Sequence, residues 1–144
     1  MLYNTIKNDS KKIIIILKKE KMMTKQRALI LEILRSDMCH HTAEEIFELA
    51  KSKIPKISRA TVYNNLHALE EEQIIRRISG DNGPDRYDNS YIPHGHLLCM
   101  NCGGVFDVVI PDFEANLSKH LGGAIDSYEL KVKGVCNCCR AAAV

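Results

Sequence analysis

The chain has 144 residues, 45% hydrophobic and 26% charged, enough for one ordinary domain or two small ones and too apolar for a disordered chain. No stretch reaches the roughly 18 apolar residues of a membrane span. The run Ile13–Leu17 is short and flanked by lysines, and no small-residue cleavage site follows it. This argues against a signal peptide and predicts a cytoplasmic protein whose thiols stay reduced. The net charge of +2 is uneven, with fifteen Lys and Arg against ten Asp and Glu in residues 1–80, and five against eight in residues 81–144. The basic first half suits a polyanion and the acidic second half suits metal cations.

In chain order, residues 6–19 form a lysine-studded leader helix (the leader occupying 1–20) that four consecutive isoleucines specify weakly. Thr24 caps a helix in which Arg27, Ile30, Ile33 and Leu34 recur at helical spacing, ending near Ser36-Asp37. Thr42-Ala43-Glu44-Glu45 is a capping box; Ala43, Ile46, Leu49 and Ala50 are the apolar face behind it, and Pro55 ends that helix. Ser58 caps a third helix whose Val62, Leu66 and Leu69 face the core, leaving Arg59, Thr61, Tyr63, Asn64, Asn65 and His67 on its other faces.

Arginine at the start of that helix and amides in its middle suit the DNA major groove, where Asn pairs with adenine and Arg with guanine or phosphate. A solvated polar face is the plain alternative. The segment after the helix favours DNA: residues 74–78 read as a strand, 80–84 as a turn and 86–88 as a returning strand, completing a winged helix-turn-helix. Arg76, Arg77 and Arg86 on the wing are expected to contact phosphates.

In the second half, strands are expected at 96–100 and 105–109, a helix at 113–121 capped by Asp112, and a strand at 128–133. Cys99-x-x-Cys102 and Cys136-x-x-Cys139 can close a tetrahedral Zn²⁺ site. Cys138 also follows Cys136, but the x2 spacing favours Cys139 and leaves Cys138 as a spare thiol. Cys39 reads as a small hydrophobe at a helix end. Asp88, His94, His96 and Asp107, with the distant His40, are a donor set for Fe²⁺, Mn²⁺ or Zn²⁺. By spacing alone, ordinary surface imidazoles and acids account for them better.

The runs Thr24-Lys25-Gln26-Arg27, His40-His41-Thr42-Ala43-Glu44-Glu45-Ile46, Ser58-Arg59-Ala60-Thr61-Val62-Tyr63-Asn64-Asn65-Leu66 and His94-Gly95-His96-Leu97-Leu98-Cys99-Met100-Asn101-Cys102-Gly103 occur in this order. Over roughly residues 20–140 they resemble the ferric uptake regulator family. The resemblance implies an α+β fold, with a winged-helix DNA-binding domain at 1–87 and a metal-binding α/β dimerisation domain at 88–144. It implies a homodimeric repressor on a palindromic operator in double-stranded DNA. It implies structural zinc on Cys99, Cys102, Cys136 and Cys139, and regulatory Fe²⁺ or Mn²⁺ on His40, Asp88, His94, His96 and Asp107. Asp88 and Asn64 match the family's peroxide-sensing branch, in which iron promotes oxidation of a ligand imidazole, here His40 or His94. The same-class alternative is an iron- or zinc-responsive repressor. Ser127-Tyr128 replace histidines that many members use in an accessory metal site, which is therefore expected to be absent or weakened. The rival of another class, a His/Asp metal hydrolase, lacks a clearly placed general base and leaves the reader helix unexplained, so no enzymatic role is expected.

Overall fold

A computed structural model describes residues 11, 13–36, 40–81, 83–89 and 94–143. Cys39, Asp37, Asn82 and the first part of the expected leader lie outside these residues. The chain divides into two compact units, Met1–Tyr91 and Ile92–Val144.

The first unit opens with a helix over residues 13–20 (α1). Then come α2 (Lys25–Ser36), β1 (His41–Thr42), α3 (Ala43–Lys53), α4 (Arg59–Glu71), β2 (Arg76–Ile78) and β3 (Arg86–Asp88). Three of the helix starts carry the capping chemistry expected of them. The Arg27 amide donates to Thr24 Oγ1 at 3.3 Å, Thr42 and Glu45 complete a reciprocal capping box, and Ser58 Oγ accepts from the Thr61 amide at 3.1 Å. Each satisfies amides that a helix leaves without intrahelical partners. Ile30, Ile46, Val62, Leu66, Leu69 and Ile75 are completely enclosed and form the centre of the core.

Two expectations are corrected here. Leu49 is 42% exposed, and Phe47, at 4%, takes its place in the core. Ile74 and Ile75 are both buried ahead of the strand, which begins only at Arg76. The cause is the end of α4. Gln73 adopts left-handed φ 57°, its amide reaches Glu70 O at 2.9 Å, and the Ile74 amide reaches Leu69 O at 2.9 Å. This Schellman closure turns Ile74 back onto Leu69. The wing sheet has the order β1-β3-β2, all antiparallel. Its first strand, two residues long, has no period to announce it in the sequence.

The second unit runs β4 (Gly95–Cys99), β5 (Val105–Val108), α5 (Phe113–Leu121), β6 (Lys131–Gly134) and α6 (Asn137–Ala142). The sheet order is β5-β4-β6, with β4 antiparallel to β5 and parallel to β6. Asp112 does not cap α5: it sits at φ 55° with no side-chain cap bond, while its carbonyl accepts from the Asn116 amide. The last strand is shorter than expected and begins at Lys131. No residue of α5 is buried. Phe106, Val109, Ile110, Leu121, Val132 and Val135 stand exposed. Among the described residues, no helix is long and apolar enough to cross a membrane. The fold is thus α+β, a winged helix-turn-helix followed by a small α/β unit.

A side chain in the left-handed region costs roughly 1–2 kcal/mol, which glycine avoids at some entropic cost. Gln73→Gly is therefore expected to stabilise the protein by about 0.5–1 kcal/mol, seen as a higher urea midpoint at unchanged slope.

Candidate metal centres and nucleic-acid interface

The parallel pairing of β4 with β6 places the ends of both strands at the same edge, with Cys99 opposite Gly134. Beyond β4 the chain turns through Met100–Gly103. The Gly103 amide donates to Cys99 O at 2.9 Å, and Gly103 takes φ 71°, a conformation that favours glycine. Beyond β6, Cys136 caps α6, its sulfur accepting from the Cys139 amide at 3.4 Å. The Met100 amide ties the two loops by donating to Gly134 O at 2.7 Å.

The sulfurs of Cys99, Cys102, Cys136 and Cys139 consequently lie within 4.8 Å of one another, and those of Cys102 and Cys136 are 3.9 Å apart. Tetrahedral zinc with bonds of about 2.3 Å needs sulfur separations of about 3.8 Å, so the donor set and its spacing fit Zn²⁺. Backbone amides of Cys136 and then Cys102 bring the Cys99 thiol down to about 6. Hydrogen bonds to Cys136 and Cys102 push the Cys139 thiol up to about 12. One thiolate is easily formed and a crowded neighbour resists ionisation, a conflict that a dication removes. Cys138 is exposed and outside the group.

A second cluster uses nitrogen and oxygen. The β4–β5 register sets His96 directly opposite Asp107. Asp107 Oδ1 lies 3.1 Å from His94 Nε2 and 3.8 Å from His96 Nε2. The rings meet edge-on, 4.6 Å between centroids. The His94 and His96 side chains are only 3% and 11% exposed. In the first unit, His40 Nδ1 lies 4.0 Å from Asp88 Oδ1, both side chains covered, and Arg76 donates to the other oxygen, Asp88 Oδ2, at 3.2 Å. Covered imidazoles converging on carboxylate oxygen suit a borderline divalent ion such as Fe²⁺ or Mn²⁺.

On α4, Tyr63, Asn64 and His67 are exposed. Partners inside the protein are held by Thr61, Asn65, the equally exposed Arg59, and His67, whose Nε2 lies 3.3 Å from Glu71 Oε1. Thr61 closes the N-cap with Ser58 (Oγ1 to Oγ, 2.9 Å). Asn65 donates to Thr61 O at 2.9 Å and accepts from Arg27 Nε at 3.1 Å. The Arg59 guanidinium forks onto Glu44, Nε at 3.0 Å and a terminal nitrogen at 2.6 Å from the same oxygen, and lies 4.5 Å from the centre of the Phe47 ring. That hydrogen bond lowers the Glu44 carboxyl and raises the Arg59 guanidinium from their ordinary values. On the wing, Arg77 is bound to Glu70 at 2.6 Å, and Arg86 donates to His40 O at 2.7 Å. Arg27 and Glu44, which orient the reader helix, are residues that sequence reasoning placed in a helical face and a capping box but gave no role on α4. The available signal was the recurrence of Arg27 at helical spacing with the apolar Ile30, Ile33 and Leu34.

Cys139→Ser is expected to remove stoichiometric zinc from the purified protein and Cys138→Ser to retain it, measured by atomic emission. Zinc content equal in the two variants would contradict the four-sulfur assignment.

Known proteins share both the pattern and the fold. The ferric uptake regulator family matches residues 18–133. The peroxide operon regulator of Bacillus subtilis is 34% identical over 120 residues, covering 81% of this chain and 83% of that protein. The peroxide stress regulator of Campylobacter jejuni superposes with TM-score 0.70 at 28% identity, over 88% of this chain and 98% of that one. The Helicobacter pylori ferric uptake regulator shares the fold, with TM-score 0.74 at 23% identity over 93% of each chain. With its winged helix, its four-cysteine cluster and a match that spans most of its length, the chain belongs to the ferric uptake regulator family.

Proposed function

We propose that this chain is a metal-dependent, DNA-binding transcriptional repressor that responds to peroxide. The observation that carries the reading is the presence of two chemically distinct donor sets on one winged-helix chain: four sulfurs that close around an ion, and an imidazole–carboxylate cluster that does not. The similarity to the Bacillus subtilis peroxide operon regulator favours peroxide as the signal. The unit Met1–Tyr91 acts as the DNA-binding domain, a few residues longer than the expected 1–87, and Ile92–Val144 as the metal-binding dimerisation domain. Zinc on Cys99, Cys102, Cys136 and Cys139 is structural. The exposed apolar residues of the second unit, Phe106, Val109, Ile110 and Leu121 among them, support homodimerisation, which buries such patches. A two-fold dimer reads a palindromic operator. The protein works in the cytoplasm and has no enzymatic turnover.

His40, Asp88, His94, His96 and Asp107 form the regulatory ligand set. Fe²⁺ held there would supply the one-electron chemistry that converts peroxide into an oxidant of an adjacent imidazole. The protein's own contribution is positional. Asp107 lies beside His94 and His96, and the burial of both imidazoles excludes bulk water. Oxidation of His40 or His94 would remove a donor for the metal, and DNA binding would weaken through that linkage. On α4, exposed Tyr63 and Asn64 are the base-reading residues. Arg59, Thr61 and Asn65 support them from the same helix, and Arg77 approaches the backbone phosphates from the wing.

His40→Ala is expected to keep zinc and the dimer but lose manganese-dependent operator binding in a gel-shift assay; unchanged binding would remove His40 from the ligand set. After peroxide, the iron form is expected to gain one oxygen on the peptide containing His40 or His94, and the manganese form none. Oxidation confined to the zinc cysteines, with zinc loss, would indicate a thiol switch instead.

A further inference from the structure

Asp88 is a buried carboxylate whose two oxygens face different partners. Its side chain is 3% exposed, with Oδ1 toward His40 Nδ1 at 4.0 Å and Oδ2 accepting from Arg76 at 3.2 Å. The division follows from the register of the wing, because Arg76 on β2 is directly opposite Asp88 on β3, so both side chains leave the same face of the sheet and are close neighbours. Arg76 itself is 52% exposed, a position that also suits a phosphate contact.

We infer that Arg76 is a positioning residue for Asp88: by holding Oδ2 it turns Oδ1 toward His40 and makes Asp88 a one-oxygen ligand of the regulatory metal. The inference rests on the regulatory reading of His40 and Asp88. A carboxylate free to rotate can offer a metal either oxygen or both. A guanidinium on one oxygen removes that freedom before any ion arrives, which lowers the ordering cost of binding. Partners of this kind, bound to a ligand rather than to the metal, typically alter metal affinity by about 10–100-fold when removed. The asymmetry in burial matters too. An exposed ion pair contributes little, but here the carboxylate end is enclosed, so deleting the guanidinium leaves a buried charge without that donor.

The test uses the full-length, zinc-loaded protein and Mn²⁺ as the probe, with affinity read from the electron paramagnetic resonance signal of free manganese. Arg76→Met is expected to weaken Mn²⁺ binding by about 10–100-fold. Arg76→Gln, which keeps a neutral N–H donor opposite Asp88, is expected to recover most of that loss. Zinc content should be unchanged in both variants. Mn²⁺ affinity of Arg76→Met within about threefold of wild type, or tighter, overturns the inference, since it falls outside the range expected for such a partner. A salt slope lower by about one unit in both variants, at wild-type metal affinity, would identify Arg76 as a phosphate contact and overturn it equally. If the wild-type protein takes up no Mn²⁺ beyond its zinc, the regulatory reading fails and this inference fails with it.

Discussion

Four thiols crowded at the shared end of β4 and β6 repel one another as they ionise, and a cation among them relieves that repulsion. That constraint organises the second unit. In the stretch Ile92–Val144 the buried apolar residues are Leu98, Cys99, Val105 and Cys136 among those described, and α5 buries none. So small a core holds a fold poorly by itself. A closed sulfur site supplies folding free energy where apolar burial cannot, and it joins the β4 turn, the β6 end and α6 at one point. The apolar residues left on the surface of the unit are the second half of the same economy, suited to burial against another copy.

The strand that ends in Cys99 also sets the other cluster. β4 carries His96 at its beginning and Cys99 at its end, so one pairing register fixes both sites: Cys99 against Gly134 on one side, His96 against Asp107 on the other. The two sites differ in chemistry for a simple reason. A sulfur tetrahedron leaves no position open and resists exchange, whereas imidazole and carboxylate donors bind borderline ions that come and go. The two donor chemistries are thereby separated on a single strand.

In the first unit, α4 is held by polar contacts to neighbouring elements and at its own N-cap. Arg27 grips Asn65, Glu44 grips Arg59, and Ser58 closes on Thr61. Exposed ion pairs contribute little to stability, but they restrict side-chain geometry. Tyr63 and Asn64 project from a helix whose neighbouring polar groups are already satisfied.

Much of this was legible in the residues. Capping chemistry is local, so Thr24, Thr42 and Ser58 marked three helices from the sequence alone. Chelate spacing is local too, and the two Cys-x-x-Cys pairs announced a sulfur site. Other features depended on which segments meet. The parallel partnership of β4 and β6 decided that the pairs converge, with Cys139 in the group and Cys138 outside it, as the x2 spacing predicted. The left-handed turn at Gln73 buried both Ile74 and Ile75 and delayed the strand. Asp112, a good cap by residue type, does not act as one because its backbone is left-handed. The partners of Arg59, Asn65 and Arg76 lie on other elements, up to 38 residues away for Asn65. The sequence by itself determined the residue types and local spacings that make a winged helix and a four-sulfur site possible. Tertiary structure alone decided which of those polar groups remain available, because a hydrogen bond between distant segments has no period and no spacing by which it can be read in advance.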